Sequence, residues 1–176
     1  MSRSASGRPE PGEYGGHAEE DVARVAGDDA AEALAAQLPE TLALLRGVDD
    51  RRAGKFRYAP RKWTIKQVFG HIADTERIMA YRLLRIARGD TTPLPGFEQD
   101  DYVSAADFNS LSLQQIVEEF RAVRAATIAL LQNLHADSLS RRGTANGFAV
   151  TAQALAYVVA GHERHHIEIL RSRYLK

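Results

Sequence analysis

The sequence contains no cysteine in 176 residues. This absence excludes a disulfide framework, a cysteine nucleophile, a thiolate zinc finger and an iron–sulfur cluster. Net charge is lacking as well, because 23 basic residues balance 23 acidic ones. No global field therefore favours nucleic acid or an anionic membrane as a partner. A metal bound by this chain must use nitrogen and oxygen ligands, so the six histidines matter most.

Long apolar runs are also missing. No run approaches the roughly 18 residues that span a bilayer, and the first residues lack the apolar stretch of a secretory signal. We therefore expect a cytoplasmic protein without membrane contact. With 44% hydrophobic and 26% charged residues, the composition is typical of an ordinary globular domain with a buried core.

Residues 1–29 differ from the rest of the chain. They hold five of the 13 glycines, and their three basic and seven acidic residues give a net charge of −4. The remaining 20 basic and 16 acidic residues give +4. We predict a flexible or loosely docked acidic arm at 1–29 and one domain at 30–176. A disordered arm is favoured over one that lies on the positive body.

Four segments carry apolar residues at helical spacing. They cover about 29–46, 64–88, 112–134 and 151–174. Thr64 and Ser112 each precede a glutamine by three residues, which predicts capping boxes, and Thr151 is the expected N-cap of the fourth segment. Pro39 lies inside the first segment, where it is expected to kink or restart the helix.

These segments predict an all-α fold, a four-helix bundle. No stretch alternates long enough to predict a strand, although Asn146 and Gly147 suit a hairpin turn. The second helix is about 36 Å long, and the connection over 89–111 can extend to roughly 75 Å. A crossover that makes the second and third helices parallel is therefore credible. An up-down-up-down bundle usually has shorter loops.

Three histidines lie close together in the fourth segment. His162 and His166 are four residues apart and interrupt its apolar stripe, so two imidazoles can converge on one metal ion there. His165 falls beside that stripe. Histidine pairs at this spacing also occur as hydrogen-bonded pairs, so a third ligand is needed. His71 is the candidate, because antiparallel second and fourth helices bring it to a similar depth.

Other polar residues are weaker candidates. Asp74 could orient His71 or a bound water, or lie on a solvated edge. Glu163 points about 100° away from His162, which disfavours a general-base role. His17 and His135 are interpreted as solvated residues. Residues 51–62 hold six basic residues, but neutral net charge argues against nucleic-acid binding, and a solvated loop or a contact for the acidic arm is preferred.

Several stretches resemble the DinB/YfiT-like family. They are YAPRKWTIKQVFGHIADTE at 58–76, RIARGD at 85–90, PLPGF at 93–97 and AGHERHH at 160–166. The resemblance covers about residues 30–176. It implies an up-down-down-up bundle and a divalent metal held by His71, His162 and His166. It also implies a metal-dependent hydrolase, or a transferase or isomerase that uses a low-molecular-weight thiol such as bacillithiol or mycothiol, and it makes a homodimer the expected assembly.

The functional hypothesis is a three-histidine metal site acting on a small electrophile. Zn²⁺ is the expected metal, and Ni²⁺, Fe²⁺ and Mn²⁺ suit imidazole ligands too. Because the chain lacks cysteine, any thiol in the reaction must arrive with the substrate. The alternative is a non-catalytic stress-response or interaction module with a structural or vestigial metal site.

Overall fold

Helices make up most of the protein. The computed structural model describes residues 7–16 and 18–176, so the predictions for residues 1–6 and for His17 lie outside the described residues. In chain order the helices are α1 (Ala18–Arg24), α2 (Ala30–Leu44), α3 (Asp50–Lys55), α4 (Ile65–Ala87), α5 (Gln99–Ala106), α6 (Leu113–Gln132), α7 (Ala136–Leu139) and α8 (Ala152–Ile169). A short 3-10 helix, Phe108–Ser110, follows α5, and a π-helical turn, Leu170–Tyr174, extends α8.

The four long helices α2, α4, α6 and α8 match the four predicted segments. The Thr64 hydroxyl accepts from the Gln67 N–H at 3.2 Å, and the Gln67 side chain accepts from the Thr64 N–H at 3.0 Å. Ser112 forms the same reciprocal pair, and Thr151 caps α8 as expected. The helix starts therefore follow from local sequence. Pro39 does not restart the first helix, because α2 is continuous through it.

Helices α4 and α6 run parallel. The Phe69 ring meets the Phe120 ring at 6.1 Å, and further along both helices Glu76 pairs with Arg124 at 2.8 Å. Residue numbers rise together on the two helices, so the chain must return the full length of the bundle between them. This confirms the predicted crossover.

Helices α2 and α8 also run parallel. The Gln37 side chain donates to the Ala160 carbonyl at 3.0 Å, and one turn later the Thr41 hydroxyl donates to Glu163 at 2.6 Å. Both contacts are buried and join residues more than 120 positions apart in sequence.

Helix α8 is antiparallel to α4. His71 meets His162, whereas Met79, two turns further along α4, lines a cavity with Leu155, two turns earlier on α8. Together with the two parallel pairs, this gives the up-down-down-up order predicted for the bundle.

A β-hairpin packs beside the bundle. Strands β1 (Arg142–Ala145) and β2 (Phe148–Thr151) pair antiparallel, and both turn residues, Asn146 and Gly147, have positive φ. The sequence indicated the turn but not the strands, because four residues on each side are too short to show alternation. Leu94 from the crossover bridges to Ala145, which ties the long connection to the hairpin.

The N-terminal segment lies against α8. Val22 and Val25 are each 1% exposed. Helix α1 approaches so closely that a Cβ on Gly161 would lie 1.9 Å from the Asp21 carbonyl oxygen. The division of the chain into an arm at 1–29 and a domain at 30–176 stays a prediction.

The buried apolar side chains form two clusters. One includes Leu34 and Leu155, and the other includes Phe69 and Phe120. Arg124 touches both, because it donates to the Leu34 carbonyl and its guanidinium lies 4.9 Å from the Phe120 ring centre. Among the described residues, we find no helix with the length and apolar character needed to cross a membrane.

Candidate metal centre

His71, His162 and His166 meet between α4 and α8. The Nε2 atom of His162 lies 3.0 Å from Nε2 of His71 and 3.2 Å from Nε2 of His166. One ligand atom from each histidine falls within 4.8 Å of the others. The structure therefore brings together all three predicted ligands, from residues 91 positions apart in sequence.

Burial keeps these three imidazoles neutral. Burial lowers the pKa of His71 to about 4. Burial, with repulsion from neighbouring histidines, lowers the pKa of His166 to about 3 and that of His162 well below its usual range. A neutral imidazole offers a lone pair, which is the form that binds a metal.

The donor set fits a divalent cation. The Nε2 atom of His162 faces two other Nε2 atoms, and a neutral imidazole nitrogen is either one donor or one acceptor. It cannot form a separate, fully satisfied hydrogen bond with each neighbour. A cation among the three nitrogens would accept a lone pair from each, and imidazole is a common ligand of zinc, copper, iron and nickel.

Two side chains hold the histidine rings. The Thr75 hydroxyl lies 3.4 Å from Nδ1 of His71, where it can accept from an Nδ1–H and leave Nε2 free for a metal. The Trp63 ring centre lies 4.7 Å from that of His71 and 6.5 Å from that of His166. Trp63 is thus a wall of the site. His71 is 2% exposed, whereas His162 and His166 are partly exposed, so the cluster has an open side.

Asp74 contacts a neighbouring arginine. Its carboxylate pairs with Arg77 at 3.3 Å, and Arg77 also pairs with Glu119 at 2.6 Å. Burial raises the pKa of Asp74, Arg77 opposes that rise and Glu119 adds to it. Thr75, rather than Asp74, is next to His71 Nδ1. The orienting role of Asp74 stays a hypothesis without a contact to support it.

The other histidines contribute less. The His165 ring lies 5.1 Å from that of His166 but is not one of the three converging residues, which agrees with its peripheral position in the sequence. His135 is exposed, directly before α7. Neither approaches the cluster as a fourth ligand among the described residues.

A buried ion cluster lies on the other side of α8, and sequence reasoning missed it. Arg124, which is 0% exposed, donates to Glu76 through Nε and Nη2 and to Glu163 through Nη2. The Thr41 hydroxyl donates to the second Glu163 oxygen. We call Arg124, Glu76, Glu163 and Thr41 the Arg124 cluster. Burial raises the pKa of Glu163, and Arg124 and Thr41 oppose that rise.

The Arg124 cluster joins all four long helices, because Thr41 lies on α2, Glu76 on α4, Arg124 on α6 and Glu163 on α8. Arg124 also donates to the Leu34 carbonyl on α2. Glu163 is therefore occupied by structural partners, which agrees with the low weight given to its general-base role. One feature of the sequence could have indicated a buried arginine: Arg124 lies four residues after Phe120, on the apolar stripe of α6.

Known proteins resemble this chain in sequence and in fold. A candidate metal-dependent hydrolase of Oceanobacillus iheyensis is 28% identical over 113 residues, which cover 62% of this chain and 64% of the relative. The chain thus spans less than two thirds of that relative.

Two solved structures share the fold. YfiT from Bacillus subtilis, described as a candidate metal-dependent hydrolase with an unusual four-helix bundle topology, superimposes with a TM-score of 0.70 at 16% identity, over 84% of this chain and 89% of YfiT. A mycothiol-dependent maleylpyruvate isomerase gives a TM-score of 0.63 at 15% identity, over 78% of this chain and 58% of the isomerase.

A family model gives the assignment. The model of the DinB superfamily matches residues 33–170, which include α4, α6 and α8, most of α2, and all three converging histidines. Since this match covers most of the chain, the protein belongs to the DinB superfamily.

Proposed function

We propose that this protein is a metal-dependent enzyme that acts on a small electrophile, with a divalent cation held by His71, His162 and His166. The observation that carries the proposal is the convergence of three neutral Nε2 atoms on the partly exposed side of a buried helix pair. Zn²⁺ is the metal we expect. When bound, it would supply Lewis-acid chemistry, by polarising the electrophile and making a water or thiol more acidic.

The chain itself orients the ligands and shapes their surroundings. Thr75 fixes the ring of His71, and Trp63 shields one side of the cluster from water. Three neutral imidazoles leave the charge of a divalent cation uncompensated, which favours an anionic group at the open side. A hydroxide, a thiolate or a substrate carboxylate would meet that demand.

Hydrolysis is the first reaction class, and it is supported by the named activities of the relatives from O. iheyensis and B. subtilis. Transfer or isomerisation with a low-molecular-weight thiol is the second candidate. It is favoured by the structural likeness to a mycothiol-dependent isomerase and by the absence of a cysteine in this chain. A cytoplasmic location and a homodimer stay predictions, and light scattering of the purified protein tests the second.

Metal binding is the first test. Untagged protein is stripped of metal, reconstituted with Zn²⁺ or Co²⁺ and desalted, and bound metal is measured by elemental analysis. We expect about one equivalent for the wild type and for His165→Ala, a control on the same helix. His71→Ala and His162→Ala should lose most of it. Equal retention by the wild type and both ligand variants would refute the site.

Activity is the second test. The zinc-loaded protein is assayed with model esters and amides, and with bacillithiol or mycothiol plus an electrophile. We expect turnover in one of these arms that disappears in His162→Ala. If the protein binds one equivalent of metal but turns over neither group of substrates, the alternative is favoured, a non-catalytic module with a structural metal site.

A further inference from the structure

Arg82 is a buried cation that is paired with no carboxylate of the described residues. Its side chain lies on α4 and the residue is 5% exposed. Its Nη2 donates to the Pro95 carbonyl at 2.6 Å, and its Nη1 contacts the Met79 sulfur at 3.4 Å. Across residues 7–16 and 18–176, none of the ion pairs within 4.0 Å involves this guanidinium.

The nearby arginines differ from it. Arg77 pairs with Glu119, and Arg85 pairs with Asp90. Even Arg124, which is more deeply buried, has two glutamates. Burying a charge without a counter-charge costs free energy, and burial lowers the pKa of Arg82 accordingly. An unpaired buried cation of this kind needs an explanation.

Arg82 forms the floor of a surface pocket of about 260 Å³. Tyr81, Phe97 and Tyr102 form its aromatic walls. The Phe97 and Tyr102 ring centres are 5.1 Å apart, and the Arg82 guanidinium lies 5.8 Å from the Phe97 ring centre. Tyr81 and Tyr102 are 52% and 47% exposed, so the pocket opens to solvent at its aromatic rim.

The guanidinium is held in place before any ligand arrives. Its acceptor is the carbonyl of Pro95, the residue after Leu94. The Leu94 N–H donates to the Thr144 carbonyl, and the Leu94 carbonyl accepts from the Asn146 N–H, both at 2.9 Å. The crossover loop is thus fastened where it supports Arg82. A cation fixed in advance loses less conformational freedom when it binds an anion.

We propose that this pocket binds small aryl carboxylates, with the carboxylate on Arg82 and the aromatic group packed against the paired rings of Phe97 and Tyr102. A guanidinium presents paired N–H groups that match the two oxygens of a carboxylate. Arg77, the other cation of the pocket, is already neutralised, so the site offers one positive charge and suits a monoanion rather than a phosphate.

The pocket is separate from the histidine cluster. Arg82 follows His71 by 11 residues, or about 16 Å along α4 at 1.5 Å per residue. The proposal therefore does not rest on a bound metal or on enzymatic activity, and it is tested with metal-free protein.

The test is a titration of the full, metal-free chain with benzoate, followed by two-dimensional amide NMR. We expect shifts around the pocket and a Kd at least about tenfold weaker in Arg82→Met, since a charge-assisted hydrogen bond is lost. Arg88→Met, which removes an exposed arginine just after α4 that does not line the pocket, should bind benzoate within about threefold of the wild type. Benzyl alcohol, a neutral analogue, should not distinguish Arg82→Met from the wild type.

Stability provides a second readout. Because Arg82 carries an uncompensated charge, Arg82→Met should raise the melting temperature while it loses benzoate. Arg82→Lys keeps the charge but not the paired donors, and should bind benzoate several-fold more weakly than the wild type. A lower melting temperature in Arg82→Met with unchanged benzoate affinity would show a purely structural arginine and overturn the proposal.

Other outcomes are equally decisive. Absence of benzoate shifts in the wild type, or tighter binding of phenyl phosphate than of benzoate, would overturn the assignment. His162→Ala should bind benzoate like the wild type. Failure of the metal site and failure of the carboxylate pocket are therefore distinguishable.

Discussion

Replacement of Arg124 by methionine should destabilise the protein more than any exposed substitution on the same helix. Arg124 is fully buried between Glu76 and Glu163, with side-chain exposures of 0%, 2% and 1%. Methionine fills a similar volume and leaves two carboxylates in the core without their cation. Removing one partner of a buried ion pair costs about 3–5 kcal/mol.

Protonation of the stranded Glu163 sets the pH dependence. Without Arg124, the folded-state pKa of Glu163, already raised by burial, would rise further above its unfolded value near 4.5. A raised pKa gives stability that is present below the unfolded pKa and lost as pH rises through the folded pKa. The deficit relative to wild type should therefore be largest at neutral pH and shrink toward pH 4.5.

Urea unfolding followed by circular dichroism measures this deficit, with the denaturant slope checked for a constant value. Arg121→Met, an exposed arginine three residues earlier on α6, is the control and should change stability by less than about 0.5 kcal/mol. Adding Glu76→Leu and Glu163→Gln to Arg124→Met should recover much of the loss. A deficit below about 1 kcal/mol at pH 7, or no recovery, would refute the burial argument.

Three further results are expected. The metal-free protein should lose stability as pH falls from 6.5 toward 4, because burial lowers the folded-state pKa of His71 to about 4 and that of His166 to about 3. His166→Ala should reduce the dependence of the unfolding free energy on pH by up to about 1.4 kcal/mol per pH unit. An unchanged dependence would contradict this. Gly161→Ala should cost about 1–3 kcal/mol in urea unfolding, since its Cβ would meet backbone of α1, and a neutral change would mean that α1 does not dock in solution. Thr64→Ala should cost about 1 kcal/mol, measured against Thr64→Ser, which keeps the cap.

The helices were predictable because their signals are local. Thr64 and Gln67 are three residues apart, so the capping box that starts α4 is visible in four letters of sequence. The strands of the hairpin could not be predicted, for the opposite reason. Its strands have four residues each, and part of what holds it is the bridge from Leu94, about 50 residues earlier, which no local pattern contains.

The convergence of the three histidines was predictable in part from local spacing. His162 and His166 are one helical turn apart, and only His71 needed the topology. The Arg124 cluster and the Arg82 pocket could not be predicted in this way. The first depends on partners that are distant in sequence, and the second on the absence of a counter-charge among the described residues. Arg124 meets Glu76 across 48 positions, and what distinguishes Arg82 is that no carboxylate of the described residues pairs with it.

Three consecutive residues of α8 explain why the histidine cluster forms where it does. Successive side chains on a helix point about 100° apart, so Gly161, His162 and Glu163 face three directions. Gly161 admits the backbone of α1, and Glu163 is held by Thr41 on α2 and Arg124 on α6. These contacts fix the rotation of α8 about its axis, and His162 is then left facing α4. If so, Glu163→Gln, which keeps shape but weakens the pairing with Arg124, should loosen that rotation and reduce Zn²⁺ affinity without touching a ligand. Unchanged affinity in Glu163→Gln would mean that the packing of His71 against Trp63 is sufficient to position the site.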